Sequence, residues 1–286
     1  MSTQSSLPVA QRIPTLDIVR GFALLGILIM NIPGFSTSFY AEADGSHLWP
    51  GRLDQLAEQA RDLLFSGKFN SMFSLLFGIG FTIQFARLQE RDPAHATGIY
   101  LRRLLVLGMF GLIHAAVFWT GDVLHIYAVL GLAFGAAFTV IFALNRVPGP
   151  SPIKLLGSVC YWSSRLALML FYVLSIVRIA QTPAGARLLA PLGVCGRMPL
   201  TNYLMQTLLC TALFYGWGFG LWGRVGPAAG IGLALLLYFC IQVPWSMWWL
   251  RRHERGPLEA LWARLTYGGA GAARPAPASP ARGPAA

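Results

Sequence analysis

The chain has 286 residues, of which 55% are hydrophobic and only 12% are charged, and its mean hydropathy is +0.56. A soluble globular domain is about 25% charged, so this composition excludes a soluble fold. The net charge of +11 does not indicate nucleic-acid binding, because basic pairs such as Arg102–Arg103 and Arg251–Arg252 stand at the ends of apolar runs. The composition predicts an all-α, polytopic integral membrane bundle whose principal partner is the lipid bilayer.

A helix needs about 20 mostly apolar residues to cross the hydrocarbon core of a bilayer. Apolar segments of this kind occur at residues 17–38, 63–86, 101–119, 122–144, 158–180, 199–222 and 227–250. A tight turn at Thr120–Asp122 joins the third and fourth segments into an antiparallel hairpin. The pattern predicts about six or seven transmembrane helices.

The rest of the sequence divides this membrane region into parts. A polar lead at residues 1–11 precedes an N-terminal membrane region of about four spans at 12–146. A Pro-rich joint at 147–157 leads into a C-terminal membrane domain at 158–268. The tail at 269–286 is rich in Pro, Ala and Gly and is expected to be disordered. The start of the chain has the character of a retained span and not of a cleaved signal peptide.

Lysine and arginine favour the cytoplasmic side of a bacterial inner membrane. This rule places the N-terminus in the cytoplasm and the polar loop at 40–62 outside. The basic loop at 181–198 and the arginines after the last span also favour the cytoplasm. Seven spans cannot satisfy both ends of the chain. Either the segment at 158–180 does not cross, or an odd number of spans is missing at the Pro-rich joint.

Ionisable residues inside spans are costly and are candidates for function. In the first span, Arg20 and Asn31 differ by about 20° around the helix and lie roughly 16 Å apart along it, and Asp17 shares their stripe. One face would then carry a charge pair at its inner end and an amide at its outer end. The alternative is that Asp17 and Arg20 form an interfacial ion pair and that Asn31 caps a break before Pro33.

A second set of candidates lies near the predicted hairpin. Asp122 and His125 have the i, i+3 spacing that lets side chains touch, and a carboxylate beside a histidine is typical of a general base. His114 precedes the turn, and His47 lies in the polar loop on the same predicted side. The alternative is that Asp122 caps a helix and the histidines form hydrogen bonds at the interface.

Three further polar residues interrupt apolar segments. Lys68 opens the second span and either snorkels to the interface or holds an anionic ligand. Asn202 and Gln206, at i and i+4, either contact a substrate or join helices. The four cysteines include no CxxC pair, and no metal site or bound cofactor is expected.

Five stretches resemble motifs of the bacterial YeiB-like (DUF418) membrane proteins, and together they cover most of residues 12–268. They are Leu16–Ile27 followed by Asn31, Lys68–Gly80, Gly121–Ala128, Gly196–Tyr203 and Gly256–Trp262. This family is loosely connected with transport. Its members are usually longer in the middle, so the resemblance implies that this chain is internally shortened around the Pro-rich joint.

The first span also resembles that of transmembrane acyltransferases. Bacterial acyltransferase-3 proteins have Arg followed by His at the spacing of Arg20 and Asn31, so that histidine is missing here. The lysosomal heparan glucosaminide N-acetyltransferase group is similar to this chain in having Asn at the second position. Its working histidine lies in the loop after the first span, which by position points to His47.

Two functional hypotheses follow. In an acyltransferase, Arg20, Arg102 and Arg103 would hold the phosphates of an acyl-CoA-type donor. His47 or His114, oriented by Asp122, would act as base on a hydroxyl or amine of a small-molecule, glycan or lipid acceptor. In a transporter or flippase, the intramembrane charges and amides would line a path. A third possibility is an inactive, shortened family member.

Overall fold

A computed structural model describes residues 13–37, 48–118 and 168–267, and every regular element in these ranges is a helix. The helices are α1 (Pro14–Ser36), α2 (Arg52–Leu64), α3 (Lys68–Arg91), α4 (Ala96–Val117), α5 (Leu168–Ala180), α6 (Pro183–Gly196), α7 (Pro199–Phe214), α8 (Pro227–Leu250) and α9 (Pro257–Tyr267). The predicted all-α class is confirmed for the described chain. His47, Asp122, His125 and the Pro-rich joint lie outside these ranges.

Four helical stretches of the described chain are long and apolar enough to cross a membrane. They are α1, the stretch Arg52–Glu90 that contains α2 and most of α3, α4, and α8. The prediction of a polytopic membrane protein is therefore confirmed. The total of six or seven spans stays a prediction, because the segment at 122–144 is not described.

The central element is α1. It begins at Pro14, whose fixed φ suits the first turn of a helix. The side chains of α1 are apolar around nearly its whole circumference, and Val19, Ala23, Leu24 and Ile27 are buried. A helix that is apolar all round is buried in a protein core or in a membrane. In this fold α3, α6, α7 and α8 pack against it.

Two glycines bring the backbones of α1 and α6 into close contact. Gly196 of α6 lies directly against the Asp17 carbonyl, and Gly21 of α1 lies against the Leu192 carbonyl, so a Cβ at either glycine would overlap a backbone oxygen. These contacts make α6 antiparallel to α1. The sequence prediction of a loop at 181–198 was wrong, because a 14-residue helix fills most of it.

Contacts between distant segments bring several helix termini to one end of the bundle. Glu259 of α9 accepts hydrogen bonds from the N–H groups of Leu200 and Thr201 at the start of α7. Trp262 of α9 donates to the carbonyl of Arg103 near the start of α4. With the contact of α6 on α1, the starts of α1, α4 and α7 and the end of α8 lie together. We call this end, which carries Arg20, Arg102, Arg103, Arg251 and Arg252, the basic end.

The opposite end, which we call the α2 end, holds the end of α1, helix α2 and the start of α8. Asp54 of α2 accepts a 3.0 Å hydrogen bond from the N–H of Ala228, and Gly223 donates to the carbonyl of Ser36. Helix α1 starts and α8 ends at the basic end. The N-terminus of the first described span and the C-terminus of the last therefore lie on the same side of the bundle. This arrangement agrees with the charge rule at both ends of the chain.

Two predicted boundaries were wrong. The predicted polar loop at 40–62 contains most of α2. The predicted span at 199–222 ends as a helix at Phe214, after which the chain turns back through Gly220 and Gly223, both with positive φ. Phe219 and Trp222 donate to carbonyls of α7 in this turn, so its backbone groups are satisfied without a longer helix.

Candidate functional site

A network of buried polar side chains joins α6, α7 and α8. The Asn202 amide donates to the Cys195 carbonyl at 3.0 Å and to Ser246 Oγ at 3.1 Å. Gln242 Nε2 donates to the Asn202 carbonyl at 2.9 Å, and Gln206 Nε2 donates to Gln242 Oε1 at 3.1 Å. Hydrogen bonds between helices help to hold membrane helices together, because lipid tails are as apolar as the helix surfaces and the hydrophobic effect does not drive their association.

The same network reaches two backbone carbonyls of α1. Gln206 Nε2 donates to the Leu24 carbonyl at 3.2 Å, and the Tyr238 hydroxyl donates to the Gly21 carbonyl at 2.7 Å. Four helices thus meet at one polar centre beside the close contact of α1 and α6. The sequence alternatives for Asn202 and Gln206 were substrate contact and helix joining, and the geometry supports helix joining.

A π-helical segment, Leu237–Gln242, positions the α8 members of this network. Pro244 follows it and has no N–H to donate to the carbonyl four residues earlier. The Val243 N–H bonds instead to the carbonyl of Tyr238, five residues back. This wider turn carries both Tyr238 and Gln242, and single π turns of this kind are frequent at functional sites.

A second polar contact joins α4 to α7. His114 is 1% exposed, and its Nε2 lies 2.9 Å from Thr207 Oγ1. The ring centroid of Tyr203 is 5.5 Å from that of His114. The predicted pairing of Asp122 with His125 lies outside the described residues and stays a prediction, as does the role of His47.

The basic end contains charged side chains with different surroundings. Arg20 Nη1 is 2.9 Å from Asp17 Oδ1, so the predicted ion pair is confirmed. The guanidinium of Arg103 lies 3.7 Å from the ring centroid of Trp262, a cation–π contact that fixes α9. Arg102 is exposed. Arg102 is therefore the most exposed of the three arginines expected to bind phosphate.

A family model described as "Protein of unknown function (DUF418)" matches residues 113–269. The chain belongs to the DUF418 family. The matched region begins one residue before His114 and continues through α9. It therefore includes the His114–Thr207 pair, the polar network of α7 and α8, and Glu259 of the DUF418 protein.

Named relatives are similar over nearly all of this DUF418 chain. An uncharacterised 39.9 kDa protein in the amylase 3′ region of Bacillus acidopullulyticus is 29% identical and covers 91% of this chain and 96% of its own length. Uncharacterised YxaH of Bacillus subtilis strain 168 is 26% identical over 93% of this chain and 97% of its own length. Uncharacterised YeiB of Escherichia coli strain K12 is 26% identical over 92% and 98%. No solved structure matches.

The lengths of these alignments bear on the predicted shortening. They run over 343, 392 and 398 residues, although this DUF418 chain has 286. The relatives therefore carry residues inside the aligned region that this chain lacks. Internal shortening is confirmed, whereas its location at the Pro-rich joint stays a prediction.

Two of the predicted site residues have surroundings of their own in this DUF418 protein. Lys68 is buried, and its ammonium donates to the carbonyls of Leu63 and Asp62, the latter at 3.3 Å. It thereby satisfies the last turn of α2, as basic residues near helix ends do. Asn31 is half-buried on α1. Ligand binding by either residue stays a prediction. No cluster of three metal-ligating side chains occurs among the described residues.

Several polar residues of the network and of the His114–Thr207 pair in this DUF418 protein were not predicted from the sequence. Gln242 and Ser246 interrupt the apolar segment at 227–250, so their polarity was a signal that could have been used. Thr207 and Tyr238 carried no such signal, because both residue types are common in membrane helices. Their partners lie far away in sequence, and only the packing of the helices brings them together.

Replacing Asn202 with alanine tests the importance of the network. The variant loses three side-chain hydrogen bonds, two given by its amide and one accepted from Ser246. At about 0.6 kcal/mol for each intramembrane bond, the expected loss is about 2 kcal/mol. Thermal unfolding in detergent should show a lower Tm, whereas Ala substitution of the exposed Leu208 on the same helix should leave it nearly unchanged. Equal Tm values for both variants would contradict a stabilising network.

Proposed function

We propose that this DUF418 protein is an acyltransferase of the bacterial inner membrane that uses a coenzyme A thioester as donor. The observation that carries the proposal is the buried pair of His114 and Thr207, with 2.9 Å between Nε2 and Oγ1. A hydroxyl within hydrogen-bond distance of an imidazole is the arrangement of a nucleophile and its base. An imidazole has one nitrogen that accepts a proton and one that donates, which suits His114 to proton transfer.

The reaction has two steps. His114 Nε2 takes the hydroxyl proton of Thr207, and Thr207 Oγ1 attacks the thioester carbonyl. A C–O bond forms, the C–S bond breaks, and the proton passes to the leaving thiolate. An acceptor hydroxyl or amine then attacks the Thr207 ester, and its proton returns to the Thr207 oxygen through His114. Burial of the pair excludes water from the ester between the steps, and donor access requires α4 to move away from α7.

The donor phosphates have candidate partners at the basic end. The Arg20 side chain is 27% exposed and Arg102 is exposed, and guanidinium groups bind phosphate in bidentate geometry. Along α4, His114 lies about 18 Å from Arg102. Coenzyme A carries its thioester on a long flexible arm, so the phosphates can remain at the surface while the thioester enters the bundle.

The test is transfer of radiolabel from acetyl-coenzyme A to the purified protein in nanodiscs. We expect label on the wild-type chain and at least a roughly hundredfold lower labelling rate in His114→Ala, because general-base catalysis contributes about 10²–10⁴-fold. Thr207→Val should carry no label, whereas Thr207→Ser should retain it.

His95→Ala is the matched control, because His95 is exposed and pairs with Asp92 on the surface. Wild-type labelling rates in His114→Ala and Thr207→Val would contradict the mechanism. YeiB of Escherichia coli, assayed in parallel, separates another outcome. Label on YeiB and none on this chain would identify the shortened chain as an inactive member of the family.

Transport is the second candidate, and the π segment of α8 favours it. Interrupted helices near the middle of a bundle provide binding groups in transporters, and Leu237–Gln242 lies between two α-helical halves of α8. In this conformation the Tyr238 and Gln242 side chains are hydrogen-bonded to other helices. A transport mechanism would need these bonds to exchange for substrate. Substrate-dependent uptake by proteoliposomes that Gln242→Leu abolishes would support it over acyl transfer.

The orientation of the bundle is a further proposal. The basic end carries arginines on α1, α4 and after α8, whereas α2 at the other end carries Asp54, Glu58 and Asp62. By the excess of Lys and Arg, the basic end faces the cytoplasm. Alkaline phosphatase inserted at residue 95 or 254 should be inactive, and at residue 50 or 223 active. The opposite pattern would show that the N-terminus lies outside.

A further inference from the structure

Helix α2 has three distinct faces. One face packs on the protein and consists of the half-buried residues Asp54, Ala57, Glu58 and Arg61. The second is exposed and apolar and consists of Leu53, Leu56, Ala60, Leu63 and Leu64. The third is exposed and polar and consists of Arg52, Gln55, Gln59 and Asp62. At 100° per residue, the centres of these faces are separated by about 120°.

The packed face fixes the rotation of α2. Asp54 accepts a hydrogen bond from the N–H of Ala228 and so holds the helix to the start of α8. Arg61 is paired with Glu58 at 3.4 Å within the same helix, and its side chain is only 11% exposed. Lys68 ties the last carbonyls of α2 to the start of α3. These contacts hold the leucine face outward.

The outward leucines form a contiguous apolar surface. Leu53 is 72% exposed, Leu56 is 64% and Leu63 is 70%. In an ordinary aqueous environment such a face would be turned toward the core, because burial of leucine is favourable. Here the packed face, which carries Asp54, Glu58 and Arg61, is turned toward the protein instead. A large exposed apolar patch beside a polar rim marks a membrane or protein contact.

Aromatic residues at the same end show which contact it is. The turn between α7 and α8 exposes Trp217, Phe219 and Trp222. The Gly223 N–H bonds to the carbonyl of Ser36 and fixes this turn at the level where α1 ends. Exposed tryptophans concentrate at the boundary between lipid and water. Helix α4 also exposes leucines, such as Leu105 and Leu112.

We propose that α2 is an interfacial helix that lies along the membrane surface at the α2 end of the bundle. Its leucine face enters the acyl-chain region of one leaflet, and its polar face meets water. Its packed face, which includes Asp54, lies against the start of α8. A helix with separate apolar and polar faces binds the boundary of a bilayer in this way. The occupant of the apolar face is phospholipid, and the surface is independent of the proposed acyl transfer.

Site-specific photocrosslinking tests this assignment in the full-length protein. Benzoylphenylalanine replaces Leu53, Leu56 or Leu63 on the apolar face and Gln55 or Gln59 on the polar face. All five side chains are exposed, so the variants should fold, and unchanged elution from a sizing column checks this. After irradiation in phosphatidylglycerol–phosphatidylethanolamine nanodiscs, mass spectrometry should find several-fold more lipid adduct at the leucine positions than at the glutamine positions. Leu105 on α4 is the control for a lipid-facing site.

Two outcomes would overturn the proposal. Equal adduct yields on the two faces, with Leu105 labelled, would show that the leucine face does not meet acyl chains. Crosslinked dimers at Leu56 in liposomes, in place of lipid adducts, would show that a second copy of the chain covers it. Higher lipid-adduct yields at all three leucine positions than at both glutamine positions would support the interfacial helix.

Discussion

Replacement of Gly196 by alanine is expected to destabilise the bundle strongly. A Cβ on Gly196 would overlap the carbonyl oxygen of Asp17, and a Cβ on Gly21 would overlap that of Leu192. These obstacles are backbone atoms of two packed helices, so no rotamer change can relieve them. Overpacking by one methyl group costs about 1–3 kcal/mol and more where the surroundings cannot relax. A cost above about 3 kcal/mol is a large fraction of typical stability.

The measurement is the yield of monodisperse protein and its Tm in detergent, with Gly21→Ala as the companion variant. Gly78 is the matched control, because a Cβ on this helical glycine meets nothing within 4 Å. Alanine there should leave the Tm unchanged or raise it, since alanine favours a helix by about 1 kcal/mol over glycine. At Gly193 the Cβ would lie 3.2 Å from Ile18 Cγ1, a side-chain atom that can yield, so an intermediate effect is expected. A wild-type Tm for Gly196→Ala would contradict the close packing of α1 on α6.

The spans that sequence predicted correctly are those with long, uninterrupted apolar runs. Segments 17–38 and 227–250 correspond to α1 and α8 within a few residues, because a bilayer-length apolar run has few alternatives to a helix. Helix α6 was missed for the opposite reason. It has 14 residues and contains Pro191, so neither length nor periodicity marks it. Its position depends on the glycine contact with α1, and that contact exists only in the assembled bundle.

The same division applies to the candidate site. The Asp17–Arg20 pair was predictable, because a spacing of three residues places side chains together on any helix. Asn202 and Gln206 were recognisable as unusual residues in an apolar run, but their partners were not. Gln206 donates to a main-chain carbonyl of Leu24, and a main-chain acceptor leaves no trace in residue type. The pairing of His114 with Thr207 likewise depends on how α4 lies against α7.

Loss of the Glu259 carboxyl is expected to release α9 from the bundle. The carboxyl accepts hydrogen bonds from the N–H groups of Leu200 and Thr201 at 2.7 and 3.0 Å and from the Thr201 hydroxyl at 2.5 Å. It therefore caps α7 from a helix that follows 58 residues later. In Glu259→Ala these buried donors lose their acceptor. A buried, unsatisfied donor costs about 1–3 kcal/mol, so a total on the order of 3 kcal/mol is expected.

The pH dependence of stability provides a second readout for Glu259. Burial raises the pKa of this carboxyl above its ordinary value, although the hydrogen bonds from Thr201 and Leu200 oppose the shift. The folded state therefore binds the proton more tightly than the unfolded state does. Its contribution to stability is fully present below the ordinary glutamate pKa and is lost as pH rises through the folded-state pKa. The wild-type Tm should fall across that window more steeply than that of Glu259→Gln, which has no proton to lose.

Three variants separate the cap from general effects of charge in this region. Glu259→Gln keeps a carbonyl oxygen that can accept from the Leu200 and Thr201 N–H groups, so it should lose less stability than Glu259→Ala. Glu254→Ala removes an exposed carboxylate from the turn before α9 and should change stability by no more than about 0.5 kcal/mol. Limited proteolysis should cut α9 in Glu259→Ala much faster than in Glu254→Ala. If Glu259→Ala resists proteolysis as well as wild type does, α9 is held mainly by the contact of Trp262 with Arg103, and the carboxyl cap contributes little.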